Sequence, residues 1–459
     1  MSLTIDVKNE VLRLARESGV KQVRFLYCDN GSIIRGKACG YQSLEERMYG
    51  GIGLTVAMQA MNSLDELTPV EGIGAVGEVR LVPDPRTFRI LPYSPRTASM
   101  LCDMLTLEGL PWELCPRSFL RRMIEQAHSE FGQSIIAAFE PEWSLARRSP
   151  EGAYVAIDDS LCFSTIGMTT PAAMVDELLG ALEAQNLKVE QYHPELAHGQ
   201  QELSISPARA LEAADNQLIY RETVRAVAWN HGLFASFAPK PFINQAGNGC
   251  HVHLSAWAGD QGDINMFYDP SDRYSLSQTG YYFIGGILEH LPALVALTCP
   301  SVNSYRRLQP HSWSSAYTCY GPDNREAAVR IASTLKGKES RSINLELKSS
   351  DNTNNPYLAL GGIIAAGMDG VRRKLHPGEK LMVTVDPGTL PEEERLERGI
   401  KALPTSLGQA LDNLEKDEVL LNALGPLLAR TYIAVKRSEE KSYAARTTEY
   451  EVNQHFYKY

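Results

Sequence analysis

The sequence predicts an α+β fold in two parts, a small N-terminal domain over residues 1–112 and a larger domain over 113–459. Three observations carry this. Helical and strand-like patterns alternate with hairpin turn signals, which favours antiparallel pairing over a doubly wound parallel sheet. A Pro-rich stretch, VPDPRTFRILPYSPR, interrupts the pattern shortly before residue 112. A chain of 459 residues also exceeds one ordinary domain.

In chain order, Val7, Val11, Leu14 and Ala15 recur at helical spacing and predict a helix over 6–18, stopped at Gly19. VKQVRFLYCD reads as a strand, and Asn30-Gly31 as the turn into SIIRGKA. After Pro116, SFLRRMIEQAHSEF predicts a helix, IIAAFEPEWSLA a strand and PAAMVDELLGALEAQN a second helix. LKVEQYHPELAHGQQELSI reads as two strands and a turn. ARALEAADNQLIYRETVRAVAWNHG reads as a long helix capped by Gly232. Strands and loops carrying polar groups fill 234–258 and 300–350, and the C-terminal third is helical.

The formal net charge of -10 argues against nucleic acid as the main partner. The eight cysteines are scattered without zinc spacing, the N-terminus has no apolar signal core, and no uninterrupted apolar run is long enough for a bilayer. A cytoplasmic protein with reduced thiols and no membrane partner is expected.

Several short patterns place chemistry-bearing side chains together. Glu140 and Glu142 lie two apart on a predicted strand and so share a face, as do His251 and His253. Glu195 and Glu202 bracket a predicted turn. Glu346 and Lys348 repeat the same spacing, which on a surface strand would be an ordinary ion pair. Taken singly, each pattern has a bland reading as solvated strand ends. Together, carboxylates with one or two imidazoles suit Mg2+ or Mn2+ better than zinc. Arg306, Arg307, Arg325, Arg330 and Arg341 follow in the next segment. Divalent cations beside arginines are what phosphoryl transfer requires.

The segment KPFINQAGNGCHVHLS, over 240–255, resembles the ATP-region signature of glutamine synthetases. FEPEW, HPELAHGQQE, NSYRRL, NREAAVRI and LELKSSDNTNNPYLAL follow the order of that family's landmarks, and the resemblance spans essentially the whole chain. It implies a β-grasp-like N-terminal domain and a catalytic domain built on a curved antiparallel sheet flanked by helices. It implies ATP and Mg2+ or Mn2+ as cofactors and glutamate as the acid substrate. One metal would be held by Glu142, Glu195 and Glu202, the other by Glu140, His251 and Glu346. His253 and Ser255 would face the nucleotide phosphates, with Arg325 and Arg330 on the transferring phosphoryl group. Arg307 and Gly247 would hold glutamate. The resemblance further implies homo-oligomeric stacked rings, often dodecamers, with sites between subunits. Asp29 is then expected to be the acidic loop residue lent to a neighbour's site.

The chain departs from the ammonia-using members at the amine end. Residues 309–322, QPHSWSSAYTCYGP, contain no acid, and Trp313 stands where those enzymes keep a flap Glu. Phe163 stands for a Tyr near the ammonium pocket. Ala246 stands for an Asn that contacts glutamate, while Lys348 and Asn344 stand for arginines. Gly388 takes the place of the regulatory Tyr. An ammonium ion needs carboxylates to replace its hydration, whereas an apolar face suits an organic amine. The expected activity is an ATP-dependent glutamate–amine ligase taking a small primary amine, a monoamine rather than a polyamine. Glutamine synthesis from ammonia is one alternative. A non-catalytic ring protein is another, though such a protein would be free to lose the six metal ligands that all stand here.

Overall fold

The computed structural model describes residues 2–259 and 262–459. Its N-terminal part is a six-stranded sheet. Strand Gln22–Cys28 pairs antiparallel with Ile34–Gly40 and parallel with Thr97–Leu105. Glu78–Pro83 and Ile52–Thr55 extend the sheet antiparallel. Helix Ser2–Glu17 buries Val11 and Ala15 against it, as the helical spacing predicts. The parallel pair inside an otherwise antiparallel sheet gives the expected β-grasp-like arrangement. The Asn30-Gly31 turn forms, but Ser32, at φ 67°, is the residue that takes the left-handed conformation. Asn30 is fully buried and donates its side-chain amide to the Gln59 carbonyl at 2.9 Å, so tertiary contacts set this turn.

The larger part carries an eleven-stranded sheet among the described residues. Its strands run in the order Tyr320–Pro322, Val329–Ile331, Leu345–Leu347, Cys250–Ala258, Ser134–Arg148, Gln200–Ile205, Val189–Pro194. All neighbours on this path are antiparallel except Tyr320–Pro322 with Val329–Ile331. Helices Pro116–Phe131 and Ala210–Asn230 pack on strand Ser134–Arg148 of this sheet, and Pro356–Arg373 packs on those two helices.

Helix Gln278–Thr298 is the most apolar of the long helices among the described residues. By length and composition it could cross a bilayer, but 83% of its apolar window is buried inside the molecule. It packs on Pro356–Arg373 with Gly286 against Gly370, where a Cβ would strike the opposing backbone. That close crossing buries most of the helix in the core.

The two parts are stitched together by polar contacts. Buried Arg117 binds Asp215 at 2.8 Å, Asp84 at 3.0 Å and Asp103 at 3.0 Å. Asn355, the N-cap of Pro356–Arg373, donates to the carbonyls of Cys28 and Asp29 at 3.3 and 3.1 Å. All eight cysteines are free thiols.

Candidate active site

Strand register builds the site. Residues directly opposite on antiparallel strands project to the same face. Glu140 lies opposite His251, His253 opposite Glu346, and Glu346 opposite Arg330. On the other flank, Glu142 lies opposite Glu202 and Glu202 opposite His193. The i,i+2 pairs Glu140/Glu142 and His251/His253 therefore sit at the centre of a row of acids and imidazoles crossing the sheet.

Two groups converge closely enough to share an ion. Ligand atoms of Glu140, His253 and Glu346 lie within 4.8 Å of one another, as do those of His193, Glu195 and Glu202. His251 reaches the first pair of acids as well, with Nδ1 at 3.4 Å from Glu140 and 3.3 Å from Glu346. His193 was not singled out from the sequence. Its Nε2 stands 3.1 Å from Glu195 and 3.7 Å from Glu202, and its signal was its place two residues before Glu195 in YHPE. Glu142 stands at the junction, with Oε1 4.0 Å from His251 while Oε2 accepts from Gln200 and from the Gly249 N–H at 2.8 and 2.9 Å.

The electrostatics show what this crowding demands. Burial, and then the carboxylates of Glu140, Glu142 and Glu195, push Glu202 far above the ordinary carboxylate range. Burial opposes the charge on Glu346 too, but Lys348, His253, His251 and Arg330 outweigh it and hold that acid low. Burial works against a charged His253, yet Glu140 and Glu346 raise it to about 9. Burial and Lys348 lower His251, so its neutral ring accepts from Arg307 at 3.2 Å. Glu346 Oε1 is buried without a hydrogen-bond partner. An orphaned carboxylate oxygen within a cluster of acids and imidazoles is a donor set that fits a hard divalent cation.

The expected substrate groups surround this cluster unevenly. Arg330 pairs with Glu346. Lys348 is buried, 3.5 Å from Glu346 and 3.3 Å from His251, rather than on the surface. Arg307 is buried and its second nitrogen donates to the Ser350 carbonyl at 3.2 Å. Gly247 packs on Arg307, and its carbonyl accepts from Gln200 at 3.0 Å. A Cβ at Gly249 would stand 2.6 Å from Arg307, 2.8 Å from His251 and 3.0 Å from Glu142, so only glycine lets this loop approach the acids. Ser255 lies on the same strand face, and its hydroxyl accepts from the Trp257 indole at 2.8 Å.

Three residues singled out by the sequence stand apart from the cluster in this chain. Asp29 is no loop acid on offer to a neighbour. It is fully buried in its own chain, paired with Arg35, and accepts from the Ile33 N–H at 2.9 Å. Arg325 is exposed and, among the described residues, makes no ion pair with the cluster. Arg306 binds Glu451 at 2.7 Å on the C-terminal helix, so Arg307 and Arg330 are the arginines brought to the acids.

Beside the Glu195 turn, Phe163 meets the His193 ring edge-on at 4.8 Å and takes φ 58°. Leu161, Phe163, Ile166 and Leu196 are all more than half exposed around the Glu195 turn. Cys162 Sγ lies 3.9 Å from Glu195, and Leu196 donates its N–H to the same carboxylate at 3.1 Å. Trp313 is 54% exposed, with its N–H on Glu326 at 2.7 Å.

Comparison with known proteins agrees with this geometry. The model of the glutamine synthetase catalytic domain matches residues 113–455, and that of the glutamine synthetase N-terminal domain matches 8–112. The chain is 36% identical to gamma-glutamylpolyamine synthetase GlnA3 of Streptomyces coelicolor, over 92% of this chain and 90% of that protein. It is 35% identical to a glutamine synthetase of Methanocaldococcus jannaschii, over 97% of each. A solved structure described as a novel glutamine synthase homolog superposes with a TM-score of 0.85 at 34% identity, over 96% of this chain and 99% of that one. A GmaS/ADP complex superposes at 0.84 and 29%, over 96% and 98%. With its row of acids and imidazoles on an antiparallel sheet and both domain models matched end to end, the chain belongs to the glutamine synthetase family and is an ATP-dependent ligase.

Proposed function

We propose that this enzyme joins L-glutamate to an organic primary amine through γ-glutamyl phosphate, giving a γ-glutamyl amide. The single observation that carries the amine is the apolar character of the amine end. Residues 309–322 hold no acid, Trp313 stands half exposed there, and Leu161, Phe163, Ile166 and Leu196 rim the Glu195 turn. Burying an amine's hydrocarbon against such faces is worth about 1–3 kcal/mol. The relative named gamma-glutamylpolyamine synthetase supports amide formation with amines beyond ammonia.

The chemistry follows from the residues. A glutamate carboxylate resists amine attack because oxide is a poor leaving group, and phosphorylation supplies a good one. Glu140, Glu346, His251 and His253 would hold one divalent ion, Glu142, Glu195, Glu202 and His193 the other. Such ions, Mg2+ or Mn2+, would offset the charge gathering between γ-phosphate and carboxylate. Arg330 and Arg325 would steady the transferring phosphoryl group, with His253 and Ser255 toward the nucleotide. Arg307, Lys348 and Gly247 would hold glutamate. A carboxylate at the site would take the amine's proton before attack. In this reading residues 1–112 and 113–459 are the two domains, and the chain works in the cytoplasm as a homo-oligomeric ring.

The test is phosphate release from ATP with glutamate and, in turn, ammonia, ethylamine, isopropylamine, aniline, ethanolamine and putrescine. The proposal expects an organic monoamine to lead on kcat/KM by about tenfold or more. Glutamine synthesis is a second reading, favoured by the several relatives of 30–35% identity named glutamine synthetase. Ammonia leading would establish it, and putrescine leading would move the substrate to polyamines.

A further inference from the structure

We propose that Glu326 is a positioning residue for the amine site: it fixes the 309–315 loop so that Trp313, rather than an acid, is presented to the incoming amine. This rests on the organic-amine reading above.

Glu326 follows Arg325 in NREAAVRI and is only 8% exposed. Its Oε1 accepts the Trp313 N–H at 2.7 Å. Among the described residues it forms no ion pair with a cation. A buried carboxylate is costly unless its bonds are needed, and this one is spent on a main-chain amide. Burial and nearby Asp386 raise its pKa, in keeping with that cost.

The amide it holds belongs to a loop that needs holding. His311, Trp313 and Ser315 take φ of 57°, 50° and 65°, three left-handed residues within five, none of them glycine. Such a backbone persists only where its surroundings over-determine it. The other ties are visible. His311 Nδ1 meets Asp386 at 2.6 Å, and Ser314 Oγ donates to the Gln309 carbonyl at 2.9 Å. Ser315 Oγ donates to the Ala327 carbonyl at 3.0 Å, and the Ser315 carbonyl accepts from Ser349 at 2.8 Å. Ser349 stands just beyond strand Leu345–Leu347, which carries Glu346, so the end of the loop is tied next to that strand. Glu326 is the tie on the tryptophan itself. It also explains how an acid can lie under this loop without making the amine end acidic, because the carboxylate is turned onto the backbone.

The experiment uses the full-length enzyme with Glu326→Gln, which keeps an acceptor oxygen, and Glu326→Met and Glu326→Ala, which remove it. Two readouts are taken: hydrogen exchange of the 309–316 peptide, and KM for the best amine against KM for ATP and glutamate. In the Met and Ala variants, exchange at Trp313 should speed up about tenfold and the amine KM should rise about tenfold. KM for ATP and glutamate should stay within about twofold, and the Gln variant should follow wild type on both readouts. Unchanged exchange in the Met variant overturns the proposal. So does a Gln variant as impaired as Ala, since that would mean the charge acts directly. If wild type prefers ammonia, the organic-amine reading fails on that measurement alone, and the loop tie is still judged by exchange and by the Gln–Met contrast.

Discussion

The two ends of the active site are built from different materials. At the phosphoryl end, Glu140, Glu142, Glu202, His251, His253, Glu346 and Arg330 stand on hydrogen-bonded strands, and register alone sets who faces whom. At the amine end, Phe163 and Trp313 stand on loops at positive φ, each held by a main-chain N–H bond, to the Pro194 carbonyl and to Glu326. A strand slipped by one residue would turn the whole row of acids away, so that end tolerates little change. A loop can exchange one side chain without moving its neighbours. In the proposed function, the chemistry would belong to the sheet and the choice of amine to the loops.

The comparison breaks most readily at the sheet. Glu346→Ala removes the buried acid shared by His253, Lys348 and Arg330, and should cut ATP turnover about 100- to 1000-fold with every amine. A smaller loss, or one confined to one amine, would show that the sheet end is not common machinery. At the loops, Trp313→Glu should shift kcat/KM about tenfold toward ammonia and away from the best organic amine, with KM for ATP little changed. Unchanged amine preference would remove Trp313 from the account.

The acids also carry a pH signature. The folded pKa of Glu202 lies above its ordinary 4.5, so the metal-free fold gains from its protonation at low pH and loses that gain as pH rises above about 4.5. Glu202→Gln should therefore melt higher than wild type in EDTA at pH 8, with the gap closing toward pH 5. Saturating Mg2+ should raise the melting temperature of wild type and leave that of Glu202→Gln less affected. The smallest effect is expected at Phe163→Ala, which loses the edge contact to His193 and should weaken amine KM about two- to tenfold.

What the sequence revealed follows the same division. Spacing of two on a strand exposed the Glu140/Glu142 and His251/His253 pairs, because strand alternation is local. His193 was hidden, since its relation to Glu202 exists only once two strands pair. Asp29 was expected from the family resemblance alone, and here Arg35 and Asn355 close over its turn. Arg306 looked like its neighbour Arg307 until the distant Glu451 claimed it. Glu289 and His290 interrupt the apolar run of Gln278–Thr298, and His290 is satisfied by Asp369 and Asp417 at 3.1 and 2.7 Å. The left-handed residues beside the site, Phe163, His311, Trp313 and Ser315, gave no sequence signal, since none is Gly, Asn or Asp.

The central claim is that the sheet's acids and imidazoles form two neighbouring divalent-cation sites. Titration of Mn2+ into the full-length enzyme, followed by electron paramagnetic resonance, tests it most directly. The account predicts two ions bound per chain, magnetically coupled, with one lost in Glu202→Gln and the other in Glu346→Ala. A single ion, or binding that neither substitution alters, would contradict it.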